Sequence, residues 1–467
     1  FTAHPTEATR RTLREAEQHL AALLAEQDDP RLTPQDRARL QRRLAAEVEL
    51  LWQTDKIRAR RPTVLDEVRN TLYYAETVLF DVIPGLCQEL DEPLREHFGL
   101  ALPPDAAPVR FGSWVGGDRD GNPFVTPAVT LEALRLQQAV LLRRYRAEVD
   151  RVGRRLSPSL RFVTITPALE RSLAADRGEL PDAAARLEAR YPGEPYRQKF
   201  GFIYARLQAA SASPPGPEAY PTADALWSDL HHVYESMQAH GSPRAAEVHV
   251  LPLLRRVAAF GLHLATLDIR QHSARHRAAL AELLRASGHG DFEAMGEEAR
   301  CRVLAALLGN PSPPPVPGSL SPETRETLEV FTVLRQARAE LGREAIGTYI
   351  ISMTEAASDL LGVLALARFA GGDEPVPLRV APLFETRADL QRAPEIMAAL
   401  YRLPAYREHL EGWGERQEIM IGYSDSNKDV GPLAAAWALY RAQEELERVS
   451  RAHGVSTLFF HGRGGST

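Results

Sequence analysis

The sequence predicts an α/β fold, predominantly helical, organised as a (β/α)8-type barrel with large all-α insertions. Two observations predict it. Seven short apolar runs have the length and character of buried strands, each followed by a helical pattern wherever the chain continues. Polar residues recur at the C-terminal ends of those runs, where barrels of this kind carry their chemistry on loops held by rigid strands. With about seven of eight strands present, residues 1–467 read as a single catalytic barrel region truncated before the eighth strand. The segments 127–260 and 275–345 read as helical insertions. An open doubly wound sheet is the runner-up, but it would show an early glycine-rich dinucleotide fingerprint, and none is present.

In chain order, FTAHPTEATRRTL places His4 and Pro5 after a short apolar start, with Thr6 as an N-cap. Helix follows from Leu13 to Trp52, broken near Asp29, Pro30 and Pro34. Leu65, Val68, Leu72, Ala75, Leu79 and Val82 step by three and four, one buried helical stripe. Arg110 to Val115 reads as a strand before the tight turn GGDRDGNP. A calcium loop fails there, because the twelfth position from Asp118 is Val129 instead of a glutamate. Proline-rich loops are expected at Ser211–Pro221 and Gly309–Pro322.

Alternation from Leu262 to Ile269 reads as a strand ending at Arg270. Ile346 to Met353 is another, with Thr354 as cap of the helix that follows. Leu378 to Phe384 is the next, ending in Glu385. Glu418 to Gly431, EIMIGYSDSNKDVG, runs from a short strand through a polar turn into a helix that starts after Pro432. The last strand, Thr457 to Phe460, ends at His461.

Composition sets outer limits. The 467 residues are 44% hydrophobic and 25% charged, an ordinary globular balance with length for a large core. A net charge of −6 argues against a nucleic-acid partner. No run approaches the roughly 20 apolar residues that cross a bilayer. Two cysteines, Cys87 and Cys301, form no disulfide framework and fit a reducing, cytoplasmic setting. The start at Phe1 and the stop inside HGRGGS read as an internal piece of a longer polypeptide.

Glu385 and Asp425 close neighbouring strands, so in a barrel they face one mouth. Paired carboxylates with water and substrate oxygens suit Mg²⁺ or Mn²⁺; helix capping or ion pairs with Arg387 or Lys428 are the alternative. Arg270 and Arg463 fall at strand ends, where a guanidinium fork grips phosphate or carboxylate, although such arginines are as often structural. Gly462, Gly464 and Gly465 let backbone N–H groups close on an anion. His4 is either a general acid or base or an ordinary core or surface histidine. Trp114 is a core aromatic or the wall of a pocket.

FTAHPTEATRRTL, FGSWVGGDRDGNP, LATLDIRQHS, YIISMTEAASDLL, VAPLFET, MIGYSDSNKD and FFHGRGGS together, and in this order, resemble the phosphoenolpyruvate carboxylase family of bacteria and plants. The resemblance covers nearly the whole chain. It implies carboxylation of phosphoenolpyruvate with bicarbonate to oxaloacetate and phosphate, which replenishes the tricarboxylic acid cycle, with a divalent metal and in a homotetramer. It makes Glu385 and Asp425 metal ligands, and Arg270 and Arg463 holders of the substrate phosphate. His4 becomes the histidine of the carboxyphosphate step; His461, Gly464 and Gly465 belong to a flexible loop over the site. Trp114 lies beside the substrate's methylene end, Lys428 adds positive charge, and Arg10 and Arg11 match an activator site. His272 replaces a common acid, and Asn427 replaces a common small residue. Another metal-dependent barrel enzyme acting on phosphoenolpyruvate or a keto acid, and a non-catalytic helical scaffold, are the rival readings.

Overall fold

Parallel strands that sit side by side in chain order, each returning through helix, build a sheet whose two faces are both covered. The computed structural model describes residues 10–55, 62–212, 214–310, 316, 318–371, 377–422 and 424–461. In it, β1 (Gly112–Ser113), β2 (Thr266–His272), β3 (Ile346–Ser352), β4 (Arg379–Phe384), β5 (Arg416–Ile421) and β6 (Ser456–His461) form one sheet. Its order is β1-β2-β3-β4-β5-β6, every pairing parallel. The sheet curls into a half-barrel within a mostly helical chain. The first strand expected from the sequence, at Phe1–Ala3, lies outside the described residues.

Side chains alternate between the two faces with the period of a strand. Leu267 and Ile269 of β2, Tyr349 and Ile351 of β3, and Ile419 and Ile421 of β5 pack outward in one large apolar cluster against the helices. Ile350, Leu383 and Met420 meet on the concave side, with Trp114 and Phe460 packed against them. A second cluster fills the helical layer made by Val64–Tyr74, Phe80–Phe98, Pro127–Gly153, Pro195–Ala210, Ala223–Ala239 and Leu251–Phe260. Phe111, just before β1, stacks on Phe260 at 5.2 Å, and Phe260 stacks on Phe80 at 5.8 Å. Tyr145 donates to the Gly261 carbonyl at 2.9 Å, which pins the turn leading into β2. The aromatic layer thereby fixes where β1 and β2 begin.

Several local expectations change. The stripe through Leu65 and Val82 breaks: Val68, Leu72 and Tyr73 are buried, but the next buried positions are Phe80, Ile83 and Cys87, and Val82 is 53% exposed. A π-helical turn, Ala75–Leu79, inserts one extra residue and rotates the stripe by one position. Strand β1 covers only Gly112–Ser113 of the run Arg110–Val115, because the following glycine turn takes over the pairing. Strand β2 starts at Thr266, as Leu264 sits at φ 73° in the preceding turn. Thr354 does not cap the helix Ala357–Gly371; its hydroxyl donates back to the Ile351 carbonyl at 2.8 Å. Asp359 accepts from the N–H groups of Glu355 and Ala356 instead. The polar turn after β5 is itself helical, Ser424–Val430. Among the described residues no helix is long and apolar enough to cross a membrane.

Glycine decides one junction. A Cβ on Gly117 would lie 2.0 Å from the Asp268 carbonyl oxygen, backbone that cannot swing away. Gly117→Ala should therefore cost about 3 kcal/mol, as overpacking does. Gly85→Ala, in a helix with no atom within 4 Å of the added carbon, should be neutral or stabilising by up to about 1 kcal/mol. Urea unfolding of both variants measures the contrast.

Candidate active site

The concave face carries the polar residues. Asp268 and Arg270 lie two apart on β2, and Thr348 and Glu418 occupy β3 and β5. The turn after β1 is pressed onto β2: Arg270 N donates to the Gly117 carbonyl at 3.1 Å, and Arg119 N donates to the Arg270 carbonyl at 2.8 Å. Arg119, buried, braces this turn from behind by donating to the Gly117 carbonyl at 3.0 Å and to the Thr130 hydroxyl at 2.5 Å. Thr130 in turn donates to the Gly116 carbonyl at 2.6 Å.

Held this way, Asp118 meets Arg270 fork to fork, with Nε to Oδ1 and Nη2 to Oδ2 both at 2.8 Å. The guanidinium also lies over the Trp114 ring, 5.2 Å from its centre. Burial opposes its charge, but the Asp118 hydrogen bonds and the charges of Asp118, Asp120 and Glu385 outweigh burial and raise its pKa. Arg270 is thus a fixed cation on the mouth, within the field of Glu385.

Trp114 is oriented from the other side. Its indole Nε1 donates to Asp268 Oδ2 at 3.1 Å, while Asp268 Oδ1 accepts from Thr348 N at 2.9 Å. A Cβ on Gly347 would sit 2.1 Å from that Oδ1, so glycine leaves the room the carboxylate occupies. The Thr348 hydroxyl donates to Glu418, which also faces Arg379 at 3.6 Å. Desolvation pushes Asp268 up to about 6, helped by the charge of Glu418 and opposed by its two N–H bonds and Arg379.

At the adjoining strand ends, Glu385 follows β4 and is only 8% exposed. The backbone after β5 is laid directly on it: Gly422 N donates to the Phe384 carbonyl at 2.7 Å, and a Cβ on Gly422 would come within 2.7 Å of Glu385 Cα. The Ser426 hydroxyl donates to the Glu385 carbonyl. Residue 425 lies in the first turn of the short helix Ser424–Val430 beside it, and the Asp425 side chain lies outside the described residues. Lys428 is exposed on that helix. His461 ends β6, in register with Ile421 of β5. His4, Arg463, Gly464 and Gly465 lie outside the described residues. Arg10 donates to the Asp55 carbonyl at 3.3 Å, whereas Arg11 pairs with Glu15 at 2.8 Å and covers the Tyr73 ring.

Of the residues expected from sequence, Arg270, Trp114 and Glu385 thus come to one mouth. A family model, phosphoenolpyruvate carboxylase, matches residues 1–467. The chain belongs to the phosphoenolpyruvate carboxylase family. It is 44% identical over its whole length to a phosphoenolpyruvate carboxylase of Roseiflexus castenholzii, of which it covers 51%. Identity is 39% to that of Parasynechococcus marenigrum and 41% to that of Pseudomonas entomophila, again over the whole chain, covering 49% and 51% of those proteins. The chain spans about half the length of the curated relatives it matches.

Asp118, Asp268, Glu418 and Arg119 were not picked out by sequence reasoning. An acid at a strand's inward position, as in LATLDIR and EIMI, is the available signal for Asp268 and Glu418. Asp118 stood in plain view in the glycine turn, but its partner lies 152 residues away.

Asp268 yields a prediction. Its folded pKa exceeds the ordinary carboxyl value, so its stabilising contribution is complete below about 4 and is lost as pH rises through about 6. Wild type relative to Asp268→Asn should lose about 2 kcal/mol between acidic and neutral pH. Urea midpoints of both proteins from pH 4.5 to 7.5 test this; parallel pH profiles would rule it out.

Proposed function

We propose that the full-length protein carboxylates phosphoenolpyruvate with bicarbonate, giving oxaloacetate and phosphate. The single observation that carries this reading is the match of the whole chain to the family. The geometry is in keeping with it, because a mouth with a clamped guanidinium, an indole wall and a low-exposure carboxylate suits a small phosphorylated acid. In this reading the sheet closes into an eight-stranded barrel, completed by strands beyond the six described.

Bicarbonate oxygen attacks phosphorus; an O–P bond forms, the enol ester P–O bond breaks, and the enolate of pyruvate leaves. Carboxyphosphate then loses a proton, which His4 is proposed to accept, and breaks down to CO₂ and phosphate. The enolate methylene carbon attacks CO₂, forming the C–C bond of oxaloacetate. Arg270 would balance charge on the transferring phosphoryl group, with Arg463 proposed beside it. Asp118 fixes the guanidinium so that its orientation is paid for before substrate arrives. Trp114, packed with Ile350, Leu383, Met420 and Phe460, presents an apolar wall that keeps water from the methylene end. His461, Gly464 and Gly465 are proposed as part of the loop over that mouth, and Lys428 as added positive charge at its rim.

Glu385 and Asp425 are proposed as the protein ligands of Mg²⁺ or Mn²⁺. The donor chemistry fits: both are hard carboxylate oxygens, and the Gly422 and Ser426 contacts bring the backbone of 425 beside Glu385. Among the described residues no group of three or more acidic, histidine or cysteine side chains is placed to hold a metal ion. A bound ion there would supply positive charge against phosphoryl and enolate oxygens.

Bicarbonate-dependent oxaloacetate formation by the full-length protein, followed with a coupled malate dehydrogenase assay, is the test. Arg270→Gln should lower kcat/KM by about 10²–10³. Arg270→Lys should not restore it, since an ammonium cannot reproduce the two parallel N–H bonds that the planar fork makes to Asp118. Glu385→Ala and Asp425→Ala should each weaken Mn²⁺ binding with the circular dichroism unchanged. Pyruvate in place of oxaloacetate, or undiminished Mn²⁺ affinity, would refute the respective assignment.

A further inference from the structure

The neighbours of the Trp114 indole restrain it unequally. The Arg270 guanidinium lies over its face at 5.2 Å, and the ring packs against Ile350, Leu383 and Met420. Both contacts are broad, because a ring can turn or slide under a cation or against apolar side chains with little loss. A hydrogen bond is directional. The bond from Nε1 to Asp268 Oδ2, at 3.1 Å, is therefore the contact that sets the rotation of the ring. Among the described residues the indole N–H has no second acceptor.

Asp268 is itself seated so that only a carboxylate serves. Its two oxygens accept from two N–H groups, Trp114 Nε1 and the Thr348 amide at 2.9 Å. Gly347 leaves that seat open, since a Cβ there would lie 2.1 Å from Oδ1 and 3.3 Å from Cγ. An asparagine has the same shape but a single accepting oxygen. With that oxygen kept by the Thr348 amide, its NH₂ would face the indole N–H, donor against donor. Asp268→Asn thus withdraws the directional restraint on the ring while filling the same space.

This inference rests on the carboxylation reading, in which the enolate methylene lies against the Trp114 wall. There the methylene carbon has two fates. Attack on CO₂ forms the C–C bond of oxaloacetate. Removal of a proton from water instead forms a C–H bond, leaving pyruvate and hydroxide while CO₂ departs unused. A ring free to turn opens a path for that water. We propose that Asp268 is a positioning residue which, through the Trp114 N–H, shields the enolate and so sets the division between oxaloacetate and pyruvate.

The test uses the full-length protein at saturating phosphoenolpyruvate and bicarbonate, with malate dehydrogenase trapping oxaloacetate as malate. Proton NMR of the quenched mixture counts malate and pyruvate, and the pyruvate share is taken relative to phosphate released. Asp268→Asn should raise that share by about fivefold, the selectivity that one hydrogen bond carries. Trp114→Phe, a ring without the N–H, should do likewise, and adding Asp268→Asn to it should raise the share no further. A purely structural loss would lower malate and phosphate together and leave the share at its wild-type value. Gly347→Ala drives the same carboxylate from its seat; it should act in the same direction and decides the matter should the asparagine variant not fold. An unchanged share in Asp268→Asn, or a second full increase on the Trp114→Phe background, would overturn the proposal. Wild type that forms no bicarbonate-dependent malate would instead overturn the carboxylation reading, and this inference with it.

Discussion

The mouth depends on how closely the turn after β1 can lie against β2, and a missing side chain at Gly117 sets that distance. The turn extends β1 by exchanging backbone hydrogen bonds with Arg270 on both sides of its peptide. That exchange brings Asp118 to the Arg270 guanidinium in a geometry where both pairs of atoms meet. A partly desolvated ion pair stabilises little unless its geometry is good and its remaining donors are occupied. Here the backbone enforces the geometry, while the Trp114 face takes the remaining flank of the cation.

The concave side of the sheet is zoned. Ile350, Leu383 and Met420 form an apolar patch, and Asp268, Thr348, Glu418 and Arg379 form a hydrogen-bonded network beside it. Trp114 joins the two, with its ring in the patch and its N–H in the network. A single acid, Asp268, therefore influences both the aromatic wall and the adjoining strand, and its raised pKa reflects how little water reaches it. The helical layer contributes by position: its aromatic stack fixes the starting points of β1 and β2, and the strand ends that form the mouth follow from those.

Much of this could be read from the sequence because strands buried on both faces announce themselves as apolar runs. IGTYIISM and LRVAPLF became β3 and β4 nearly as read, and Glu385, directly after the second run, lies within the field of Arg270. What escaped had tertiary causes. The alternation in FGLHLATLDIR extended too far upstream, because a left-handed Leu264 breaks the strand without altering its pattern. Thr354 has the composition of a cap, yet its hydroxyl found a nearer carbonyl. The Asp118–Arg270 pair joins segments far apart in the chain, and local periodicity carries no trace of such a partner.

The π turn at Ala75–Leu79 has a counterpart at Ala246–Val250, and each stands immediately before a helix that contributes a ring to the aromatic stack, Phe80 and Phe260. Both act as phase shifters: a rod that would otherwise keep one angular setting is turned by about 100° partway along its length. Length changes of one residue at those two places would rotate the rings out of alignment. Among relatives, then, these wide turns should tolerate substitution freely while resisting insertion and deletion.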